Sequence, residues 1–242
     1  MVVVLAIDAL EYELVDEFDC KNLKQVVYGK TDISEFTQPR TMVLWCSFMT
    51  GENKEREILA KEDEEMWKTK IPLEKTFFSE FEDPKIIDLP GFSYDKKQHD
   101  RERELLKKFF EGADNQEEKK EVRMEYNKHG LQHHRKIKGE FLKALKENHD
   151  LLLGYFSATD VIGHLNFGNK TLMKMVYEDL DEIAGEVKEI RDDHLLILSD
   201  HGMKGLGMFG DHNEYGFWSF DEKCNLDRPK LTDFADFLVD LK

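Results

Sequence analysis

The segment Leu195-Leu196-Ile197-Leu198-Ser199-Asp200-His201-Gly202 decides how this chain folds. It is a continuous apolar run that ends in an adjacent carboxylate and imidazole. A run of this length without polar alternation is typical of a strand buried on both faces, as in a parallel sheet. Both Asp200 and His201 carry side chains that can bind a metal ion. The segment therefore predicts a buried strand with two candidate ligands at its carboxyl end.

The same pattern occurs at two other places in the chain. The apolar run 2–7 ends at Asp8, and the run 151–156 is followed closely by Asp160 and His164. In open α/β sheets, ligand sites lie outside the carboxyl ends of the strands. Carboxylates gathered at such an edge repel one another, and a buried charge needs a partner. The three strand ends together indicate a metal centre.

Helical periodicity alternates with these strands along the chain. It predicts helices over 131–148, 170–190 and 232–241, whereas 202–216 has the composition of a glycine-rich loop. Strand and helix alternation favours an α/β fold with a mainly parallel central sheet between helices. The highly charged segment 52–130 interrupts this pattern. We expect a single domain over all 242 residues, in which that segment is an insertion or small cap over the metal site.

Composition narrows the classes of partner and compartment. The chain has 51 acidic and 35 basic residues and a formal net charge of -16. This charge disfavours binding to nucleic-acid polymers or anionic membranes, although bound metals can invert the local field and admit a phosphate substrate. The cysteines Cys20, Cys46 and Cys224 have no paired spacing, and neither a signal-peptide pattern nor a membrane-length apolar run is present. We expect a cytoplasmic protein and leave its oligomeric state open.

Three histidines outside the strand ends are candidates for a further metal cluster. His129, His133 and His134 lie in the basic stretch 119–146. We interpret them as part of a solvated basic helix face, because runs of Lys and Arg on a helix are usually exposed to solvent.

The candidate metal ligands come from four separated segments. They are three carboxylates and three imidazoles: Asp8, Asp160, Asp200, His164, His201 and His212. Mixed oxygen and nitrogen ligands suit Zn²⁺ or Mn²⁺ better than Ca²⁺. Six ligands are too many for one tetrahedral zinc and suit two ions. Two ions roughly 3.5–4 Å apart are a common arrangement for in-line displacement at phosphorus.

A candidate nucleophile precedes the helix expected to end at Gly51. The hydroxyl of Thr41 lies where a loop meets the start of that helix, and a helix N-terminus can receive an anion. A metal on the hydroxyl oxygen would lower its pKa and create the alkoxide. Position alone leaves Ser34, Thr37 and Ser47 as alternatives. Arg40 adjoins Thr41 and is a candidate for binding the phosphoryl group of the substrate.

These features, taken in order, resemble the alkaline phosphatase superfamily, and most closely its type I phosphodiesterase/nucleotide pyrophosphatase branch. The resemblance is carried by Asp8 after the first strand, Pro39–Gly51 as the nucleophile segment, Asp160, Gly163 and His164 as Asp-x-x-Gly-His, Ser199–Gly202 as Ser-Asp-His-Gly, and a late His212. Val43 stands where the branch has a second proline, and residues 52–130 hardly take part in the match.

The resemblance implies a function and a division of the ligands. Thr41 would be the nucleophile, and one metal would be held by Asp8, Thr41, Asp200 and His201. The other would be held by Asp160, His164 and His212. The implied activity is two-metal hydrolysis of a small phosphoric ester, a diester or nucleotide pyrophosphate-like bond, through a phospho-threonine intermediate.

Two alternatives remain open from the sequence. One is a phosphomonoesterase or phosphosugar mutase of the same superfamily, since the mutase would return the phosphoryl group to a sugar. The other belongs to a different class: a non-catalytic, metal-binding regulatory protein that kept the fold. The intact hydroxyl and ligand set favour an enzyme.

Overall fold

The computed structural model describes residues 1–191 and 193–242. The strands in chain order are β1 (Val2–Ile7), β2 (Val27–Asp32), β3 (Pro84–Ile87), β4 (Leu151–Phe156), β5 (His194–Leu198), β6 (Met203–Leu206), β7 (Phe209–His212) and β8 (Tyr215–Phe220). The α-helices are α1 (Tyr12–Glu17), α2 (Thr41–Thr50), α3 (Glu55–Leu59), α4 (Asp63–Met66), α5 (Lys96–Lys107), α6 (Gln116–Ala144), α7 (Ala158–Asn166), α8 (Lys170–Ile190) and α9 (Asp233–Asp240).

Six strands form the central sheet in the order β2-β8-β5-β1-β4-β3. β3, β4, β1 and β5 are mutually parallel, whereas β8 is antiparallel to β5 and β2 is antiparallel to β8. Every residue of β1 and β4 is buried, as the continuous apolar runs require of strands covered on both faces. The predicted α/β class with a mainly parallel sheet is confirmed.

Helices cover the two faces of the sheet, and β1 divides its side chains between them. Val2, Val4 and Ala6 pack in one core with residues of α2 and α9. Val3 and Leu5 pack in the other core with residues of α6 and α8. This alternation follows from the two-residue period of a strand. The sheet is therefore a central layer, and its carboxyl edge is left free for a site.

Several predicted elements have different bounds in the structure. α8 covers 170–190 as predicted. The helix expected over 131–148 begins earlier, at Gln116, where the Asn115 side chain accepts a hydrogen bond from the backbone N–H of Glu118. The charged stretch 96–128 has a mostly helical pattern but little apolar periodicity, so the sequence did not show that its second half continues into the helix over 131–148.

The prediction of a loop over 202–216 is wrong. β6 and β7 form a two-stranded antiparallel hairpin in this segment, and β8 begins at Tyr215. Gly207 allows the reversal because it adopts a φ of 68°, a left-handed conformation that glycine reaches without strain. The high glycine content favoured a loop prediction, although the two short strands pair through backbone hydrogen bonds that glycine can also make.

The interpretation of His133 and His134 as part of a solvated face is also wrong. His133 is 3% exposed and His134 is 7% exposed. α6 turns these two side chains inward, where His134 pairs with Asp179 at 2.6 Å. The lysines and arginines of the stretch dominate its composition, but composition does not tell which side of the helix faces the protein.

Segment 52–130 contributes to the core as well as to the surroundings of the strand ends. β3 adds the outer parallel strand to the sheet. Ile58, Phe78 and Phe81 are buried in the core on the α2 side. The limits of an inserted cap stay a prediction. No helix in the described parts of the chain is both long enough and apolar enough to cross a bilayer.

Candidate metal centre

Two neighbouring parallel strands deliver the first group of candidate ligands. Ala6 of β1 pairs with Leu198 of β5, so Asp8 and Asp200 leave the sheet side by side. His201 Nε2 lies 3.3 Å from Asp8 Oδ1 and 3.6 Å from Asp200 Oδ2. All three side chains are buried. Their ligand atoms are close enough together to hold one metal ion.

The second group is built by α7 and the β6–β7 hairpin. Asp160 and His164 are one helical turn apart on α7, and His164 Nε2 lies 3.2 Å from Asp160 Oδ1. His212 ends β7 and brings its Nε2 within 3.7 Å of the same oxygen. Asp160, His201 and His212 could hold a second ion. Because His201 belongs to both groups, the two positions are adjacent.

Close packing fixes the hairpin on α7. Gly163 has no side chain, and a Cβ atom added there would lie only 2.2 Å from the sulfur of Met203 on β6. The carboxylate of Glu11 accepts hydrogen bonds from the backbone N–H of Met203 and the side-chain amide of Asn213, both at 2.9 Å. These contacts position His212, and its ring stacks on His201 with centroids 3.9 Å apart.

Thr41 is the first residue of α2 and lines a cavity of about 190 Å³. Asp8, Asp160, His164 and His212 line the same cavity. The other hydroxyls considered from the sequence lie elsewhere: Ser47 donates to the carbonyl of Val43, Thr37 donates to Glu55, and Ser34 is exposed. Of these four hydroxyls, Thr41 is the one placed beside the candidate ligands.

The protein environment shifts the pKa of several groups at this centre. Burial, with repulsion from Asp160, raises the pKa of Asp8 to about 7. Burial, with repulsion from Asp8 and Asp160, raises the pKa of Asp200 well above its usual value. Burial and the neighbouring His201 lower the pKa of His212 to about 4. His212 is therefore neutral and able to bind a metal, whereas a nearby cation would favour the ionised forms of Asp8 and Asp200.

Unpartnered atoms test whether this centre fits metal ions. Four buried side-chain atoms have no hydrogen-bond partner: Asp8 Oδ1, Asp160 Oδ1, Asp200 Oδ2 and His201 Nε2. Buried polar atoms are nearly always satisfied, so orphans concentrated at one point need an explanation. Atoms that converge on a common point without bonding to one another are what a metal site requires. The donor set therefore fits divalent cations.

Two arginines lie near the centre, but only one of them lines the cavity. Arg40 is exposed, lies 3.5 Å from Asp63, and is not among the residues that line the cavity. Its substrate-binding role stays a prediction. Arg103 of α5 does line the cavity, and its guanidinium lies over the Trp67 ring, 4.0 Å from the centroid. Sequence reasoning missed Arg103 because it lies in a densely charged helix where its direction is not apparent.

A sequence profile described as type I phosphodiesterase/nucleotide pyrophosphatase matches residues 66–218. This match covers more than half of the chain and includes three of the five motifs. The chain belongs to the type I phosphodiesterase/nucleotide pyrophosphatase family. Its name denotes hydrolysis of phosphoric esters, and the family assignment predicted from the motifs is confirmed.

Solved structures of ectonucleotide pyrophosphatase/phosphodiesterase 5 are similar to this chain. The murine protein is 16% identical over 84% of this chain and 57% of its own, with a TM-score of 0.44. The human protein shows the same identity and coverage, with a TM-score of 0.42. The chain thus spans little more than half the length of these proteins. Comparison with curated protein sequences finds no match.

Proposed function

We propose that this protein hydrolyses a small phosphoric ester, a diester or nucleotide pyrophosphate-like bond, with two divalent metal ions and with Thr41 as the nucleophile. The observation that carries this proposal is that Thr41 lines one cavity together with Asp8, Asp160, His164 and His212, while Asp200 and His201 are grouped with Asp8 beside it. Family membership supports the same class of reaction.

The proposed ligand assignment is the one that the sequence motifs imply, with His201 on the first ion and His164 on the second. Asp8, Asp200 and His201, together with the Thr41 hydroxyl, would hold one ion. The other ion would be held by a second set: Asp160, His164 and His212. The ions, when bound, would supply positive charge for the phosphoryl oxygens and lower the pKa of the nucleophile. Mixed nitrogen and oxygen donors suit Zn²⁺ or Mn²⁺.

The chain's own groups would carry out two displacements. Thr41 Oγ1 attacks phosphorus in line, the bond to the leaving oxygen breaks, and a phospho-threonine forms. Free backbone N–H groups at the start of α2 can donate to the phosphoryl oxygens, since Arg40 provides no side-chain cap there. Water then attacks the same phosphorus from the side opposite Thr41 Oγ1. The bond from phosphorus to Oγ1 breaks, and Oγ1 takes up a proton to restore the hydroxyl.

The charges around the cavity favour a diester over a monoester. A monoester carries more negative charge and calls for a cation beyond the two metals. Arg40 does not line the cavity, and the guanidinium of Arg103 is already bound by Asp100. His99 and Glu102 line the same cavity but face each other at 3.3 Å, so they supply no free cation. A diester, with a single negative charge, is the better match.

The test is an assay of two matched esters over a panel of metals. After prolonged chelation and reloading with Zn²⁺ or Mn²⁺, kcat/KM should be higher for bis-p-nitrophenyl phosphate than for p-nitrophenyl phosphate. A clear preference for the monoester would contradict the proposed substrate class. Metal binding without turnover of either ester would instead favour a non-catalytic, metal-binding regulatory protein.

A further inference from the structure

A second cluster of histidines and carboxylates lies beside the candidate metal centre. It consists of Asp88, His99, Glu102 and His133, which we call the second cluster. Asp88 follows β3, His99 and Glu102 lie on α5, and His133 lies on α6. All four side chains are buried. His99 and Glu102 also line the cavity that contains Thr41, so this cluster forms part of the cavity wall.

The two imidazoles have the same orientation relative to the two carboxylates. Asp88 Oδ2 lies 3.3 Å from His99 Nε2 and 2.8 Å from His133 Nε2. On the other side, the Glu102 oxygens lie 3.3 Å from His99 Nδ1 and 3.6 Å from His133 Nδ1. Each ring therefore presents Nε2 toward Asp88 and Nδ1 toward Glu102.

This arrangement matches the surroundings of a histidine-bound metal. Metal-binding imidazoles usually donate their other ring N–H to a carboxylate, which fixes the tautomer and the ring orientation. Zinc bonds of about 2.0–2.1 Å in a tetrahedron place neighbouring ligand atoms roughly 3.3 Å apart. The distances from Asp88 Oδ2 to the two Nε2 atoms are 3.3 and 2.8 Å. The three ligand atoms are close enough to share one ion.

Unpartnered nitrogen atoms give an independent indication. Both ring nitrogens of His133 are buried and have no hydrogen-bond partner. Nε2 lies 2.8 Å from Asp88 Oδ2, but their relative orientation does not make a hydrogen bond, and this leaves both atoms available to a shared ion. The same feature marks Asp8, Asp200 and His201 at the first centre.

The backbone holds the Asp88 carboxylate in place. Asp88 adopts a φ of 59°, a left-handed conformation that is unfavourable for most residues with a side chain. Its Oδ1 accepts a hydrogen bond from the backbone N–H of Asp95 at 2.8 Å, which leaves Oδ2 directed at the histidines. Strained backbone that aims a polar side chain is typical of functional positions.

We propose that Asp88, His99 and His133 bind a third divalent cation of the zinc type, with the Glu102 carboxylate facing the Nδ1 side of both imidazoles. The ion would join the end of β3, α5 and α6, and so fix one wall of the catalytic cavity. Its two positive charges would be balanced by the Asp88 and Glu102 carboxylates, so it would offer no free cation to the substrate. The competing arrangement is an ion-pair network in which both imidazoles carry two protons. Metal and protons compete for the same nitrogen atoms, so the two arrangements exclude one another.

The experiment measures metal content after loading with Zn²⁺ and extensive dialysis. The wild-type chain should retain three ions, and His133→Gln should retain two. His134→Gln is the matched control, because His134 is a buried neighbour on α6 that pairs with Asp179 outside the cluster. This control should retain three ions. Two ions in the wild type, with no change in His133→Gln, would overturn the proposal.

A second variant tests the cluster without the first centre. Asp8→Asn combined with Asp160→Asn removes one carboxylate from each proposed catalytic position, and this variant should still bind one Co²⁺ with the visible absorption of a four-coordinate site. Absence of bound Co²⁺ would overturn the proposal. If His133→Gln does not fold, the site can be tested by anomalous scattering from Zn²⁺-loaded wild-type crystals. A peak between Asp88 and His133 supports the site, and the absence of a peak excludes it. Neither readout depends on phosphoesterase activity.

Discussion

The candidate metal centre, here called the first cluster, and the second cluster both combine carboxylates with imidazoles, but the fold assembles them differently. In the first, Asp8 and Asp200 follow adjacent parallel strands, so the sheet itself places them. In the second, Asp88, His99 and His133 come from a strand end and the inward faces of two helices. Both clusters border the cavity that Thr41 lines, but the imidazoles of the second lie between two carboxylates, Asp88 and Glu102. Shared residue types therefore do not imply a shared role.

The largest effect is expected for the nucleophile of the first cluster. Thr41→Ala should lower turnover by roughly a thousandfold or more, because no hydroxyl remains to form the covalent intermediate. Thr41→Ser should retain a measurable part. Thr50→Ala, at the other end of α2, is the control and should stay near wild-type activity. Acid-quenched mass spectrometry should find phosphate on the wild-type Thr41 peptide. Near-normal turnover by Thr41→Ala would contradict the assignment of Thr41 as the nucleophile, and with it the catalytic role that distinguishes the first cluster from the second.

A smaller loss is expected when one ligand carboxylate is removed. Asp200→Asn keeps the size of the side chain but removes the charge, so it should weaken metal binding and lower kcat/KM by roughly a hundredfold or more. Asp181→Asn is a suitable control, since Asp181 bonds to Asn22 and Leu23 far from either cluster. Equal metal content and activity in Asp200→Asn and wild type would contradict the ligand assignment.

A moderate effect is expected for the carboxylate of the second cluster. Glu102→Gln should weaken binding of the third ion about 10–100-fold, the usual result of removing a carboxylate that orients a metal-binding histidine. Glu104→Gln is the control on the same helix, because Glu104 is an exposed partner of Arg101. The measurement is competition with a chromogenic chelator. Identical affinities for both variants would show that Glu102 does not orient the imidazoles.

The smallest effect concerns the hairpin that carries His212. Gly163→Ala would place a methyl group 2.2 Å from the Met203 sulfur, and such overpacking should reduce the free energy of unfolding by about 1–3 kcal/mol. Gly139→Ala is the control on α6, where an added Cβ meets nothing within 4 Å. It should leave the protein as stable or slightly more stable. Thermal unfolding distinguishes the two, and equal stability losses would contradict tight packing at Gly163.

The sequence predicted those parts of the fold that a local pattern determines. The runs 2–7, 151–156 and 195–199 were identified because strands buried on both faces are apolar throughout. The helix 170–190 was identified because one apolar stripe recurs along it. The short antiparallel strands β6 and β7 were not predicted. Each has four residues, and the glycines among them interrupt the alternation of apolar and polar residues that would indicate a strand.

The candidate site was predictable for a related reason, and the second cluster was not. A ligand beside a buried strand is conspicuous, because a polar residue ends an apolar run. Asp88 follows the short strand β3, but His99 and Glu102 lie among many charged residues, so their burial depends on how α5 packs against α6. Arg40 and Arg103 make the same point, since only tertiary structure tells which arginine lines the cavity. Direction toward the interior is a property of packing that local sequence does not encode.

The position of β1 has a consequence for how the protein is made. β1 lies in the middle of the sheet, and its neighbours are β4 and β5, which begin at Leu151 and His194. Ribosomes add about 5–20 residues per second, so an apolar strand waits on the order of ten seconds for its first partner. Pairings this distant in the chain also fold slowly. Production at lower temperature or with added chaperones should therefore increase the recovered yield.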